Sequence, residues 1–219
     1  MNELFELICE KKLVIIARGV PANVLVNAAT ALADAGIRMI ESTFDHSLKD
    51  PIADNVEKVS ALRKALGTRI RVGAGTVLTP DEAKAACDAG AEYIIAPNTN
   101  PRVIETTKKL GLLSIPGAMT PSEICAAWDM GADMIKLFPA DDLGMHYLQN
   151  LRGPLPHIPI MVTGGVNPDS IPLFLRYGAQ AMGTGITVLR PDLVQKRDYA
   201  GMAALAKEHI EAIAQAERA

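Results

Sequence analysis

RIRVGAGTVLTPDEAKAACDAGAEYIIAPN, residues 69–98, holds one complete structural unit. It opens on the apolar run RIRVGAGTV (69–77), which reads as a strand. Thr79-Pro80-Asp81-Glu82 then starts a helix, with Pro just inside the first turn and Thr before it. Helical spacing continues from Asp81 to Ala89, and Gly90 stops it through a left-handed C-cap. EYIIAPN (92–98) is the next strand.

The same unit recurs along the chain. Apolar, β-branched runs stand at LVIIARG (13–19), RMIESTF (38–44), LLSIPGA (112–118), MIKLFPA (134–140), PIMVTGG (159–165) and QAMGTGI (180–186). A second helix spans Ala22 to Ala35, and Thr120-Pro121-Ser122-Glu123 repeats the helix start. Gly36, Gly111, Gly131 and Gly178 repeat the stop. Strands that alternate with helices and are apolar on both faces predict a parallel sheet covered by helices. Eight such units predict a single α/β domain over residues 1–219, a (βα)8 TIM barrel, in preference to an open doubly wound sheet. No dinucleotide fingerprint follows the first strand, where Ala17-Arg18-Gly19-Val20-Pro21 stands instead. Residues 2–12 predict an extra N-terminal helix against the barrel bottom, and residues 199–218 a long final helix.

Composition narrows the function. The 219 residues are 49% hydrophobic but only 4% aromatic, so Ala, Leu, Ile, Val and Met fill the core. Net charge is −3 and no block of like charge occurs, which argues against nucleic acid or a membrane surface as partner. Cys9, Cys87 and Cys125 are odd in number and widely spaced, so neither a disulfide framework nor a zinc site is expected. His46, His146, His157 and His209 lack metal-ligand spacing, and no metal or cofactor is expected. No signal peptide or spanning segment is legible, so a cytoplasmic protein is expected. Trp128 and the methionines read as packing, and Lys108-Lys109 and Arg197-Asp198 as solvated helix faces.

Barrels of this kind do their chemistry at the C-terminal strand ends. Polar residues gather there: Arg18, Glu41, Thr43, Thr76, Asn98, Lys136 and Thr163. Lys136 is the sharpest of them. An ammonium between Ile135 and Leu137 loses hydration, its pKa falls, and a neutral amine is the form that attacks a carbonyl. Phe138, two residues on, projects to the same side. Glu41 is a candidate acid/base, or else an ion-pair partner of Lys136 or Arg18. Arg18 is a candidate carboxylate or phosphate clamp. Gly164-Gly165 and Gly183-Thr184-Gly185 lie where such barrels often bind phosphate through backbone N–H groups.

With these residues placed, the chain resembles the 2-keto-3-deoxy-6-phosphogluconate (KDPG) and 4-hydroxy-2-oxoglutarate (KHG) aldolases from about Leu13 to Leu189. The resemblance is carried by VIIARG (14–19), IEST (40–43), GAGTVLTP (73–80), IIAPN (94–98), IPGAMTP (115–121), IKLFPA (135–140), TGGV (163–166) and GTG (183–185). It implies a metal-free class I aldolase, usually trimeric, that cleaves KDPG to pyruvate and glyceraldehyde 3-phosphate. It implies Lys136 as the Schiff-base nucleophile and Glu41 as the acid/base. Arg18 and Thr76 would hold the keto-acid carboxylate, Pro97 and Phe138 the imine pocket, and Thr163 the substrate near the amine. Gly164, Gly165, Gly183, Thr184 and Gly185 would hold the phosphate. Two positions depart from the family pattern. Asp45 stands where many members have arginine, and Ile186 where many have serine. KHG, an unphosphorylated 2-keto-3-deoxy acid, and a non-catalytic sugar-phosphate binding barrel are therefore the alternatives.

Overall fold

The computed structural model describes residues 3–218; Met1, Asn2 and Ala219 lie outside that range, and with them the first residue of the expected N-terminal helix. Among the described residues nine strands form one sheet: β1 Leu13–Ala17, β2 Met39–Thr43, β3 Arg71–Gly75, β4 Tyr93–Ile95, β5 Leu113–Ile115, β6 Gly117–Ala118, β7 Ile135–Leu137, β8 Ile160–Thr163 and β9 Ala181–Thr184. Their order is β5-β4-β3-β2-β1-β9-β8-β7-β6, and the paired strands run parallel.

The two ends of that order are one expected strand, 112–118, broken at Pro116. Proline has no N–H to give a ladder. Its two flanking pieces serve different neighbours. The Ile115 carbonyl accepts from Ala96 N at 3.2 Å on one side, and the Pro116 carbonyl accepts from Lys136 N at 2.9 Å on the other. The eightfold βα pattern thus closes into a barrel through a split fifth strand.

The helices are α1 Glu3–Lys11, α2 Ala22–Asp34, α3 Pro51–Leu66, α4 Pro80–Asp88, α5 Pro101–Lys109, α6 Pro121–Asp129, α7 Ala140–Leu143, α8 Met145–Arg152, α9 Ile171–Arg176, α10 Pro191–Lys196 and α11 Tyr199–Ala216. Thr79 and Thr120 cap α4 and α6 in full capping boxes with Glu82 and Glu123. Each cap is worth about 1 kcal/mol. Gly90 and Gly131, at φ +101° and +93°, turn the chain out of α4 and α6. Asp198 is not on a helix face: it caps α11 by accepting from Gly201 N at 2.8 Å, after Arg197 in the left-handed region.

Two apolar clusters hold the layers together. The larger fills the space between strands and outer helices. The smaller lies inside the barrel, where Leu4 and Ile8 of α1 meet Val14, Met39, Tyr93, Met134 and Met161. Helix α1 therefore plugs the barrel bottom, and the opposite end is left for chemistry. Among the described residues no helix is long and apolar enough to cross a membrane.

Candidate active site

Lys136 sits at the centre of β7, buried between Ile135 and Leu137. Its Nζ lies 4.9 Å from the centroid of the Phe138 ring, within cation–π range. Burial lowers its pKa below the ordinary lysine value, Glu41 opposes that shift, and Arg18 adds to it. Glu41, on β2, is fully buried and raised to about 7; burial is the main cause, with Lys136 and Arg18 pulling it back. Near neutral pH its carboxyl is divided between acid and carboxylate. The two groups titrate as a coupled pair.

The glycines of β3 make this arrangement fit. A Cβ on Gly75 would stand 2.5 Å from the Glu41 carboxyl carbon, and one on Gly73 would stand 2.2 Å from Cε2 of Tyr93. The two glycines of β3 are thus room for the protein's own side chains. Gly73→Ala is expected to lose about 1–3 kcal/mol of stability by overpacking against the Tyr93 ring. A lower urea midpoint with unchanged slope would report it.

Arg18, just after β1, donates from Nη2 to Thr76 Oγ1 at 2.5 Å. Thr76 itself has φ +59°, an outlier for a β-branched residue. Such strain is held only where the surrounding structure imposes it, and it clusters at functional sites. On the next unit, Pro97 is fixed by backbone contact: a Cβ on Gly117 would stand 2.3 Å from the Pro97 carbonyl carbon.

Cavities open on both sides of Phe138. One, of about 440 Å³, is lined by Pro97, Asn98, Met119 and Phe138 among others. The other, of about 340 Å³, runs from Phe138 and Thr163 along Gly164, Gly165, Gly183 and Gly185 to Ile186. A third, of about 300 Å³, joins Arg18 to Ile16, Gly185 and Ile186.

Two carbonyls of the glycine-rich loops are taken up within the protein. Ser170 Oγ donates to the Gly165 carbonyl at 2.7 Å, and Val188 and Leu189 N donate to the Gly185 carbonyl. The Asp141 side chain lies over Gly164 and Gly165, which puts a carboxylate in the same cavity. The Thr184 side chain turns inward. Its hydroxyl is within 3.0 Å of the Val166 carbonyl and 2.6 Å of Thr187 Oγ1, which in turn meets His209 Nε2 at 3.0 Å. These contacts occupy both threonine hydroxyls, which leaves the Thr184 backbone to serve an anion.

The two departures from the family pattern have separate outcomes. Asp45 folds back on its own turn and accepts from Ser47 Oγ at 2.6 Å and Ser47 N at 3.0 Å; those bonds hold its carboxyl below the usual range. Ile186 stands exposed at the rim. His46 Nε2 lies within hydrogen-bond distance, 2.9 Å, of Oε1 of the helix-capping Glu82. Among the described residues no three His, Cys, Asp or Glu side chains gather as a metal site.

The family model for KDPG and KHG aldolase matches residues 6–205. The chain belongs to the KDPG and KHG aldolase family. It is accordingly a carbon–carbon lyase. Within that family it is 29% identical to the 2-dehydro-3-deoxy-6-phosphogalactonate aldolase of Escherichia coli (strain K12), over 92% of this chain and 96% of the relative. It is 30% identical to the KHG/KDPG aldolase of the same strain, over 85% of this chain and 84% of the relative. A solved KDPGal structure superposes with TM-score 0.85 at 26% identity, covering 94% of this chain and 96% of that one.

Proposed function

We propose that this KDPG and KHG aldolase family member is a class I aldolase whose Schiff base forms on Lys136. The observation that carries this reading is a buried lysine with a lowered pKa, facing a buried glutamate raised to about 7. A neutral amine attacks the C2 ketone of a 2-keto-3-deoxy acid, and loss of water gives the iminium. Glu41, as carboxylate, takes the proton of the C4 hydroxyl. The C3–C4 bond then breaks, its electrons pass into the iminium, and an aldehyde leaves. The enamine takes a proton at C3, and hydrolysis releases pyruvate and the free amine.

Arg18 and Thr76 hold the keto-acid carboxylate in this reading. Pro97 and Phe138 wall the imine, and Thr163 meets the substrate near the amine. The backbone of Gly164, Gly165, Gly183, Thr184 and Gly185 takes the phosphate. The substrate is KDPG, giving glyceraldehyde 3-phosphate as the aldehyde, and the whole chain works as one barrel domain in a cytoplasmic homotrimer. The name of the 30% identical relative and the exposed Ile186 at the far rim also favour a second reading, KHG cleaved to pyruvate and glyoxylate.

Pyruvate release decides between them. Assayed over KDPG, its C4 epimer, their unphosphorylated forms and KHG, the enzyme is expected to show a kcat/KM for KDPG at least about tenfold above the unphosphorylated acid, since tail binding appears in that ratio. A higher kcat/KM for KHG would replace the first reading with the second.

A further inference from the structure

Two buried polar atoms inside the barrel lack a hydrogen-bond partner in the same row of the sheet. They are Oε2 of Glu41 and the hydroxyl of Tyr93. Glu41 is in register with Gly73, and the Ala74–Ile94 pair places Gly73 beside Tyr93. The two side chains therefore stand two strands apart, about 10 Å by ordinary sheet spacing. A glutamate and a tyrosine together span that distance if nothing lies between them.

What lies between them is glycine. The Tyr93 ring crosses β3 directly over Gly73, with Cζ 2.4 Å from the point a Cβ would occupy. The phenol oxygen is carried on Cζ, and the Glu41 carboxyl lies over Gly75, the next inward-facing residue of β3, with its carbon 2.5 Å from the point a Cβ would occupy there. Around them the barrel interior is apolar, with Met39, Ile95, Ile115 and Met161. A hydroxyl buried there without a partner is costly, and phenylalanine would fill the same volume without that cost.

We propose that Tyr93 is a positioning residue for Glu41, its hydroxyl donating through one internal water to the carboxylate and so holding the base beneath the substrate. This rests on the acid/base role given to Glu41 above. The bond favours the charged form, so it keeps Glu41 a stronger acid than burial alone would leave it. The other groups that act on Glu41 are Lys136 on β7 and Arg18 after β1. Those acting on Tyr93 are Glu41 and Glu92, and Glu92 is already paired with Arg63 and Arg71 at 2.8 and 2.9 Å.

The test reads Glu41 without substrate. The infrared band of its protonated carboxyl, assigned by its loss in Glu41→Gln, is titrated in wild type and in Tyr93→Phe. The midpoint is expected to rise by about one pH unit in Tyr93→Phe, with the acid limb of kcat/KM moving in parallel. An unchanged or lower midpoint overturns the proposal. A second measurement needs no tyrosine variant. With 13Cζ-labelled tyrosine, one of the four resonances should follow the Glu41 midpoint in wild type and lose that inflection in Glu41→Gln. Four resonances that ignore the Glu41 titration also overturn it. Failure of the aldolase reading would show separately, as absence of pyruvate and of a trapped imine.

Discussion

Lys136→Ala is expected to abolish turnover, with kcat falling on the order of 10⁴-fold or more, as for other covalent nucleophiles. In the proposed mechanism the Lys136 amine forms the imine, and water cannot replace it as an electron sink. Borohydride added with pyruvate should leave a covalent adduct on Lys136 in the wild type and none in the variant. Arginine should not rescue, because a guanidinium stays charged and cannot attack a ketone. A variant that still accumulates the adduct, or an adduct on another lysine, would remove Lys136 from the mechanism.

Glu41→Gln carries the second large effect. Loss of a positioned acid/base typically costs 10²–10⁴-fold, and kcat is expected to fall by roughly that much. Imine trapping should persist, since attack on the ketone belongs to Lys136. A turnover rate equal to wild type would exclude Glu41 as the base. The same substitution has a stability consequence whose sign follows from its pKa. A carboxyl at 4.5 when unfolded and about 7 when folded holds its proton more tightly in the native state. Stability therefore falls as pH rises between those values, by about 3 kcal/mol, and is flat above. Lys136, with its pKa lowered, acts at the alkaline end and in the opposite sense. Thermal midpoints should show Glu41→Gln more stable than wild type at pH 8 and closer to it at pH 4.

Much of the fold was legible because its signals are local. Thr-Pro pairs start helices, glycines stop them, and apolar runs buried on both faces mark parallel strands. The break at Pro116 was not legible. LLSIPGA is apolar throughout, and only the pairing of Ile115 and Pro116 to opposite neighbours reveals two short strands. In the site, Lys136 and Glu41 stood out as charges in apolar runs. Tyr93 did not, because in EYIIAPN it reads as one more core residue. Its one sequence signal is Gly73, a strand-interior glycine that marks a close approach. The partners of the Thr184 hydroxyl were not legible, because Val166 comes from the loop after β8 and Thr187 is tied in turn to His209 of α11. Asp45 departed from the family pattern, and only the bonds to Ser47 show where its carboxylate goes.

The contact between Thr187 and His209 ties two distant parts of the chain. Nδ1 of His209 lies 2.8 Å from the Leu205 carbonyl, which only accepts, so Nδ1 carries the proton. Burial keeps the imidazole from charging, and Nε2 is left to accept from Thr187. One polarity then runs from the rim loop into helix α11, and each hydroxyl along it has its direction set by the histidine tautomer. The last helix is in that respect a strut for the loop after β9: displacing its third turn would be felt in the cavity that Thr187 lines with Gly183 and Gly185.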